Sequence, residues 1–291
     1  MTGGLIASVA AAVLLGSYLV GVKRYFSHYP PTLYLVVVHA IGLCWYLPVV
    51  VATAGTDDLF APLTAGEAGL VVGTVGLIAV ALAAFYHALA IGDVSYVAPI
   101  SKIVPVFVLP LEVLLLGQHL SGIQVVGVLV ATTAVYVANY RGGSLVGPLR
   151  TVVQRRDALL ALASAAVFGV VDVGKRVSMQ ELAVPARAFV ILTLAIVPIA
   201  LLPWALRRRG GGSLRGDRWK LLVAGGVLAA GQHLISVAFV ALPASVVSPI
   251  VNTQAVIAVV LGSLLLGEPH ARVRLLAGGL AVCGVVLVSI G

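Results

Sequence analysis

Lys102 is a lysine inside a long apolar run, three residues after Pro99 and far from either end of the run. A charge at the bilayer centre costs about 2.5–3.5 kcal/mol on insertion scales, so intramembrane charges mark candidate functional sites. A proline removes a backbone donor and favours irregular helix beside a cavity. The same pattern recurs 150 residues later (102 to 252), where Asn252 follows Pro249 by three. Lys102 would supply a cation for a carboxylate or phosphate, and Asn252 and Gln254 would supply neutral hydrogen bonds from the opposite side of one cavity. The alternative is a Lys102 that is neutralised by Glu112 or Asp172. Tyr18, Tyr86 and Tyr96 are candidates for an aromatic wall, and His87, beside Tyr86, is a further candidate contact.

A second set of residues can move protons. Asp172 and Lys175 stand at i and i+3, so they share one helix face. The plainer reading is a self-neutralised pair near the membrane edge; the functional reading is a proton-coupling carboxylate. Glu112 lies ten residues past Lys102, roughly 15 Å along a helix, too far for direct pairing and better placed for a gate or a packing contact. His39, His87 and His233 also fall inside apolar runs. Histidine carries protons near neutral pH, although a lone membrane histidine more often bonds a neighbouring helix. No His, Cys, Asp or Glu group has metal-ligand spacing, so no metal and no cofactor are expected.

These residues must be positioned by membrane helices. Hydrophobic residues make up 61% of the 291-residue chain and charged residues only 10%, against about 25% charged in soluble domains. Apolar runs fall at about 5–22, 33–53, 69–91, 94–116, 122–139, 158–176, 188–206, 221–241, 244–266 and 273–290. Each must satisfy its own backbone in lipid, so each reads as a helix. The first run has no Lys or Arg before it and has a counterpart in the second half, so it reads as a span of the mature protein rather than a signal peptide. The two cysteines, Cys44 and Cys283, lie inside spans and read as packing residues.

The chain also repeats itself. Ala88–Tyr140 aligns with Ala238–Ile290 without a gap: Ser95, Val97, Pro99 and Ile100 match Ser245, Val247, Pro249 and Ile250. Leu114-Leu115-Leu116-Gly117 matches Leu264-Leu265-Leu266-Gly267, and Val22-Lys23-Arg24 resembles Gly174-Lys175-Arg176. Five spans per half is an odd number, so the halves are inverted. The expected architecture is an all-α integral membrane protein of ten transmembrane helices in two inverted five-helix repeats: 1–140 and 158–291, joined by a connector at 141–157.

Most of the glycines inside spans (Gly69, Gly73, Gly225, Gly226, Gly231, Gly278, Gly279, Gly284) read as packing positions. Tyr34, Tyr46, Tyr136, Tyr140, Trp204 and Trp219 sit near span ends and read as the interfacial belt. The net charge of +8 is not a nucleic-acid signal, because the basic residues lie between spans. Lys23, Arg24, Arg155, Arg156, Arg207, Arg218, Lys220 and Arg272 are among those in odd-numbered connections, and Lys175, Arg176 and Arg187 are the basic residues of the even ones. The positive-inside rule then puts the odd connections in the cytoplasm and both termini outside. The Arg207–Lys220 stretch reads as a topology determinant that also suits anionic lipid.

Ala88-Leu89…Ser95…Pro99…Leu114-Leu115-Leu116-Gly117, repeated as Ala238-Phe239…Ser245…Pro249…Leu264-Leu265-Leu266-Gly267-Glu268, resembles the EamA branch of the drug/metabolite transporter (DMT) superfamily. The resemblance covers nearly the whole chain. The first copy departs from the family's Gly-Glu with Gly117-Gln118. The resemblance implies secondary transport of small metabolites by alternating access, often export of amino acids or related compounds, without ATP hydrolysis. It also implies both termini in the cytoplasm, opposite to the charge count. The expected partners are the lipid bilayer of the plasma membrane, a small-molecule substrate and, as a coupling ion, protons; the chain is a monomer or homodimer and no enzyme. Other readings are multidrug or cation efflux, a sugar-phosphate or lipid-linked carrier of the same superfamily, and a membrane scaffold. A single basic residue in one half argues for a singly charged or zwitterionic substrate.

Overall fold

A computed structural model of the protein describes residues 2–53, 62–101, 103–116, 121–139, 154–207, 214–241, 247, 250–267 and 271–290. Lys102, Pro249, Gln118, Tyr140 and Glu268 lie outside the described residues, as do the side chains of Glu112 and Tyr136.

The described residues are helical throughout. The first repeat supplies α1 (Thr2–Phe26), α2 (Pro31–Thr53), α3 (Ala65–Ile91), α4 (Val94–Ser101), α5 (Val104–Leu116) and α6 (Gly122–Asn139). The second supplies α7 (Arg156–Arg176), a π-helical turn at Val177–Glu181, α8 (Ala186–Arg207), α9 (Arg218–Ala241), α10 (Gln254–Leu265) and α11 (Ala271–Ile290). Six of these helical segments are long and apolar enough to cross a membrane, namely α1, α2, α3, α7 with its π-turn, α8 and α9. The others are shorter or interrupted.

The interruption falls where the prolines suggested. The helix stops at Ser101 and restarts at Val104, with Ile103 outside it. In the second half a helical turn at 250–252 gives way to a non-helical turn at Thr253 before α10. Ile103 and Thr253 are 150 residues apart (103 to 253), so the break belongs to the repeat. Broken helices at a repeat interface free backbone groups to face a cavity.

α1 is packed inside out relative to a soluble helix. Its small residues Ala7, Ser8, Ala11 and Ala12 are buried, while Ile6, Val9 and Val13 are exposed. Lipid is as apolar as leucine, so close approach of small faces rather than burial of large ones drives the association. α1 packs on α9 and α10, α7 packs on α3, α4 and α5, and α2 packs on α8. Close approach explains several glycines. A Cβ on Gly16 would lie 2.8 Å from the Gln254 carbonyl, one on Gly169 2.8 Å from Phe107, and one on Gly225 2.5 Å from Ile41. Gly225, Gly226, Gly231 and Gly278 thus meet neighbours, whereas Gly69, Gly73 and Gly279 meet none within 4 Å among the described residues.

The end contacts fix helix direction. Tyr29, just past α1, donates to Asp217, just before α9, at 3.0 Å. At the end of α3 a Cβ on Gly92 would lie 2.7 Å from the carboxylate of Asp157, in the first turn of α7. Thus α1 and α3 end where α7 and α9 begin. Arg155 holds the Asp157 carboxylate in a two-pronged ion pair and lies 4.1 Å over the ring of Tyr96. Glu67 completes a capping box with Thr64 at the start of α3.

Candidate functional site

The broken helices face a cavity between the two halves, with a volume of about 130 Å³. That is the scale of an interior cavity that admits a single-ring solute. Four helices turn one face each towards it. α3 contributes Ile78, Leu82, Phe85 and Tyr86, and α9 contributes Leu228, Gln232, Ile235 and Phe239. The steps of three and four place each set on one helical stripe. Ile78, Leu82 and Phe85 stand 150 positions before Leu228, Gln232 and Ile235 (78 to 228), so both repeats offer the same register. α1 adds Leu15, Tyr18 and Leu19, and α7 adds Phe168, Asp172 and Lys175. Val104, Val251, Asn252 and Gln254 close the wall beside the helix breaks.

Of the sequence candidates, the cavity gathers Tyr18, Tyr86, Asp172, Asn252 and Gln254. Pro99 is buried within α4, away from the lining. His87 is also absent from the lining: its Nδ1 donates to the Ala83 carbonyl at 2.7 Å, one turn back. His233 turns away too, its Nδ1 sharing a 2.7 Å hydrogen bond with the Tyr46 hydroxyl. His87 lies about 200° round the helix from Phe85 and so falls off the α3 stripe, while His233, about 100° from Gln232, is held on the flank of the α9 stripe by Tyr46. His39 is fully buried, its Nδ1 donating to the Leu35 carbonyl at 2.8 Å.

Lys175, in the last turn of α7, lines the cavity with Asp172, is in electrostatic reach of it, and lies 5.8 Å from the ring of Phe239. Two expectations need correction. Tyr34 is not a belt residue but is 2% exposed, with its hydroxyl 2.7 Å from that of Tyr18 and its ring stacked 5.8 Å from Tyr86. Tyr46 is buried as well, on His233. Tyr96 is not part of the wall with Tyr18 and Tyr86; it is buried beneath Arg155. Trp204 and Trp219 are exposed, as a belt requires.

Tyr18, Tyr34 and Tyr86 form a barrier. Tyr18 and Tyr86 line the central cavity, whereas Tyr34 and Tyr86 line a smaller one of about 20 Å³ bordered by Lys23, Phe26 and Leu89. The Lys23 ammonium donates to the carbonyls of Leu89 and Gly92, both at 2.8 Å, at the end of α3. Carbonyls at a helix C-terminus lack intrahelical partners and favour a cation.

Chemically, the cavity offers a carboxylate, an ammonium, three side-chain amides, two phenol hydroxyls and aromatic rings from Phe85, Phe168 and Phe239. It can hold both charges of a small zwitterion and an apolar group beside them. Among the described residues no group of three His, Cys, Asp or Glu side chains is placed to hold a metal ion.

A membrane protein whose described residues are helical throughout, with a cavity between two similar halves that carries Asp172, Lys175 and three side-chain amides, fits a small-molecule transporter. The sequence agrees: residues 2–140 and 156–290 each match the model of the EamA-like transporter family, and the chain belongs to that family. It is thus a membrane transporter of the DMT superfamily. A solved crystal structure of another protein is similar over 99% of this chain and 97% of that one, with a TM-score of 0.67 and 18% identity. At that identity the likeness is one of fold. No curated protein sequence matches the chain.

Proposed function

We propose that the protein exports small zwitterionic organic compounds, amino acids and their relatives, across the plasma membrane by alternating access. Ten spans in two inverted repeats, 1–140 and 158–291, would rock about the central cavity. The observation that carries this reading is that Asp172 and Lys175 line one cavity together. A purely anionic substrate such as a sugar phosphate would be repelled by Asp172, and a lipophilic cation by Lys175. The amides of Gln232, Asn252 and Gln254 complete the polar lining. Lys102, next to the break at Ile103, remains a second candidate cation on the strength of the sequence. Asp172 is the candidate proton carrier for coupling, and Glu112 a candidate gate.

The test is ligand-induced thermal stabilisation, since a ligand that binds only the folded state raises the melting temperature. L-Leucine is compared with 3-methylbutylamine, which lacks its carboxylate, and 4-methylpentanoate, which lacks its amine. The expected result is stabilisation by leucine alone, lost in Lys175→Gln and in Asp172→Asn. Stabilisation by the amine alone would replace this reading with cation efflux, and by the acid alone with an anion carrier. Proton coupling is tested by leucine flux into liposomes under an imposed pH gradient; a flux indifferent to the gradient refutes it.

A further inference from the structure

We propose that Lys23 is a second substrate-contacting cation, used when the cavity opens at the opposite end, and that Lys23 and Lys175 exchange roles during transport. The inference rests on the transporter reading above and adds a residue to its site.

Lys23 and Lys175 occupy the same place in the repeat, as the matched runs Val22-Lys23-Arg24 and Gly174-Lys175-Arg176 show. Their neighbours are equivalent too: Lys23 reaches the carbonyl of Leu89, and Lys175 faces the ring of Phe239, 150 residues on (89 to 239). The partners nevertheless differ in kind. Lys23 is held by carbonyls at the end of α3, behind the tyrosine barrier. Lys175 is turned into the cavity beside Asp172. Two inverted repeats about one central site offer two equivalent arrangements; on this proposal the arrangement of one half in this state is taken up by the other half in the next. On that exchange Lys175 withdraws to the carbonyls at the end of α9, which a helix C-terminus leaves unpaired, and Lys23 releases α3 and turns into the cavity.

The state seen here is latched at the Lys23 end. Asp217 accepts from Tyr29 at 3.0 Å and pairs with His28 at 3.1 Å, and Arg24 donates to the Leu265 carbonyl at 3.0 Å. All three contacts join the first half to the second. Their rupture is what an opening at this end requires.

The test reads exposure at both lysine positions. In a Cys44→Ser, Cys283→Ser background, which removes two exposed thiols, Lys23→Cys and Lys175→Cys are each reacted with 2-sulfonatoethyl methanethiosulfonate, a small impermeant anion. Membrane vesicles of both orientations are used, with and without Asp217→Asn. Weakening the latch should raise the rate at Lys23→Cys about two- to fivefold and lower that at Lys175→Cys, each from its own membrane face. A Lys23→Cys rate that ignores Asp217→Asn, or that moves in step with the Lys175→Cys rate, overturns the proposal and leaves Lys23 a fixed helix cap. Leucine flux is measured separately on Lys23→Gln and Lys23→Arg. A rise in half-saturating concentration at one face in Lys23→Gln, restored by Lys23→Arg, supports the exchange; no change at either face overturns it. Wild-type protein that carries no leucine refutes the substrate reading, and the thiol rates still decide the role of Lys23.

Discussion

The hydroxyls of Tyr18 and Tyr34 lie 2.7 Å apart, binding α1 to α2 at one end of the central cavity. Both groups are buried, so each is the other's substitute for water. Removing the Tyr34 hydroxyl leaves the buried Tyr18 hydroxyl without this partner. Tyr34→Phe should cost about 1 kcal/mol, while keeping the ring contacts. Tyr34→Ala also removes the contacts with Phe26 at 5.0 Å and Tyr86 at 5.8 Å and should cost clearly more. Thermal unfolding of the two variants in detergent checks the order; equal losses would show that the hydrogen bond, not the ring, carries the barrier.

Asp172 and Lys175 should act on binding as a unit. Truncating one member of a charge pair leaves the other uncompensated. Either Asp172→Asn or Lys175→Gln should weaken leucine binding by about 2 kcal/mol, roughly thirtyfold. The double variant should recover the thermal stability lost in each single one without recovering affinity. Calorimetric titration with leucine, beside melting curves, separates the two effects.

Gly92 is required by close approach and not by backbone conformation, since its φ of −117° suits any residue. A Cβ there would stand 2.7 Å from the Asp157 carboxylate and 2.8 Å from Val97. Gly92→Ala should therefore destabilise by about 1–3 kcal/mol. Gly73→Ala, which meets open space, is the control and should be neutral or slightly stabilising by helix propensity. Similar melting temperatures for the two variants would sink the argument.

Asp217 lies outside the spans, and its carboxyl is held below the usual carboxylate range by hydrogen bonds from Lys220 and Tyr29. A depressed folded value means that its stabilisation is present above the unfolded value of about 4 and is lost as pH falls through the folded value. Asp217→Asn should thus lower the melting temperature near neutral pH, and the difference from wild type should shrink below about pH 4. Because its partners Lys220 and His28 are exposed, the difference should be small and salt-sensitive. Melting curves across pH 3–8 at two salt concentrations are the measurement; a gap that persists at pH 3 contradicts the assignment.

Charge distribution gives an orientation to test. The end of the bundle that holds Lys23, Arg24, Arg155 and Asp217 is the one that the positive-inside rule would place in the cytoplasm, since the odd-numbered connections of the sequence hold most of the basic residues. A C-terminal reporter should then be active outside the cell; cytoplasmic activity would show that the loop charges do not set the topology.

Much of this arrangement is legible without coordinates. Among the described residues the apolar runs other than 244–266, of which only a turn at 250–252 and α10 are seen, match helices to within a few residues; the 150-residue offset (88 to 238) pairs the two helix breaks, and Asn252 and Gln254, which follow Pro249 in the sequence, line the cavity. Apolar length, proline and repetition are local properties of the chain, and the bilayer forces them to become helices. What the sequence left open is which side of each helix looks inward. A soluble helix announces its buried face by its apolar stripe, but here lipid and protein interior are equally apolar, so α3 reads alike all round. Only packing decided that Tyr86 faces the cavity and His87 does not, that Gln232 turns inward while His233 turns to Tyr46, and that Tyr34 leaves the belt for the barrier. The roles of Lys23 and Lys175 are likewise tertiary: identical residues at equivalent positions, one capping α3 and one lining the cavity, because the two halves pack differently around them.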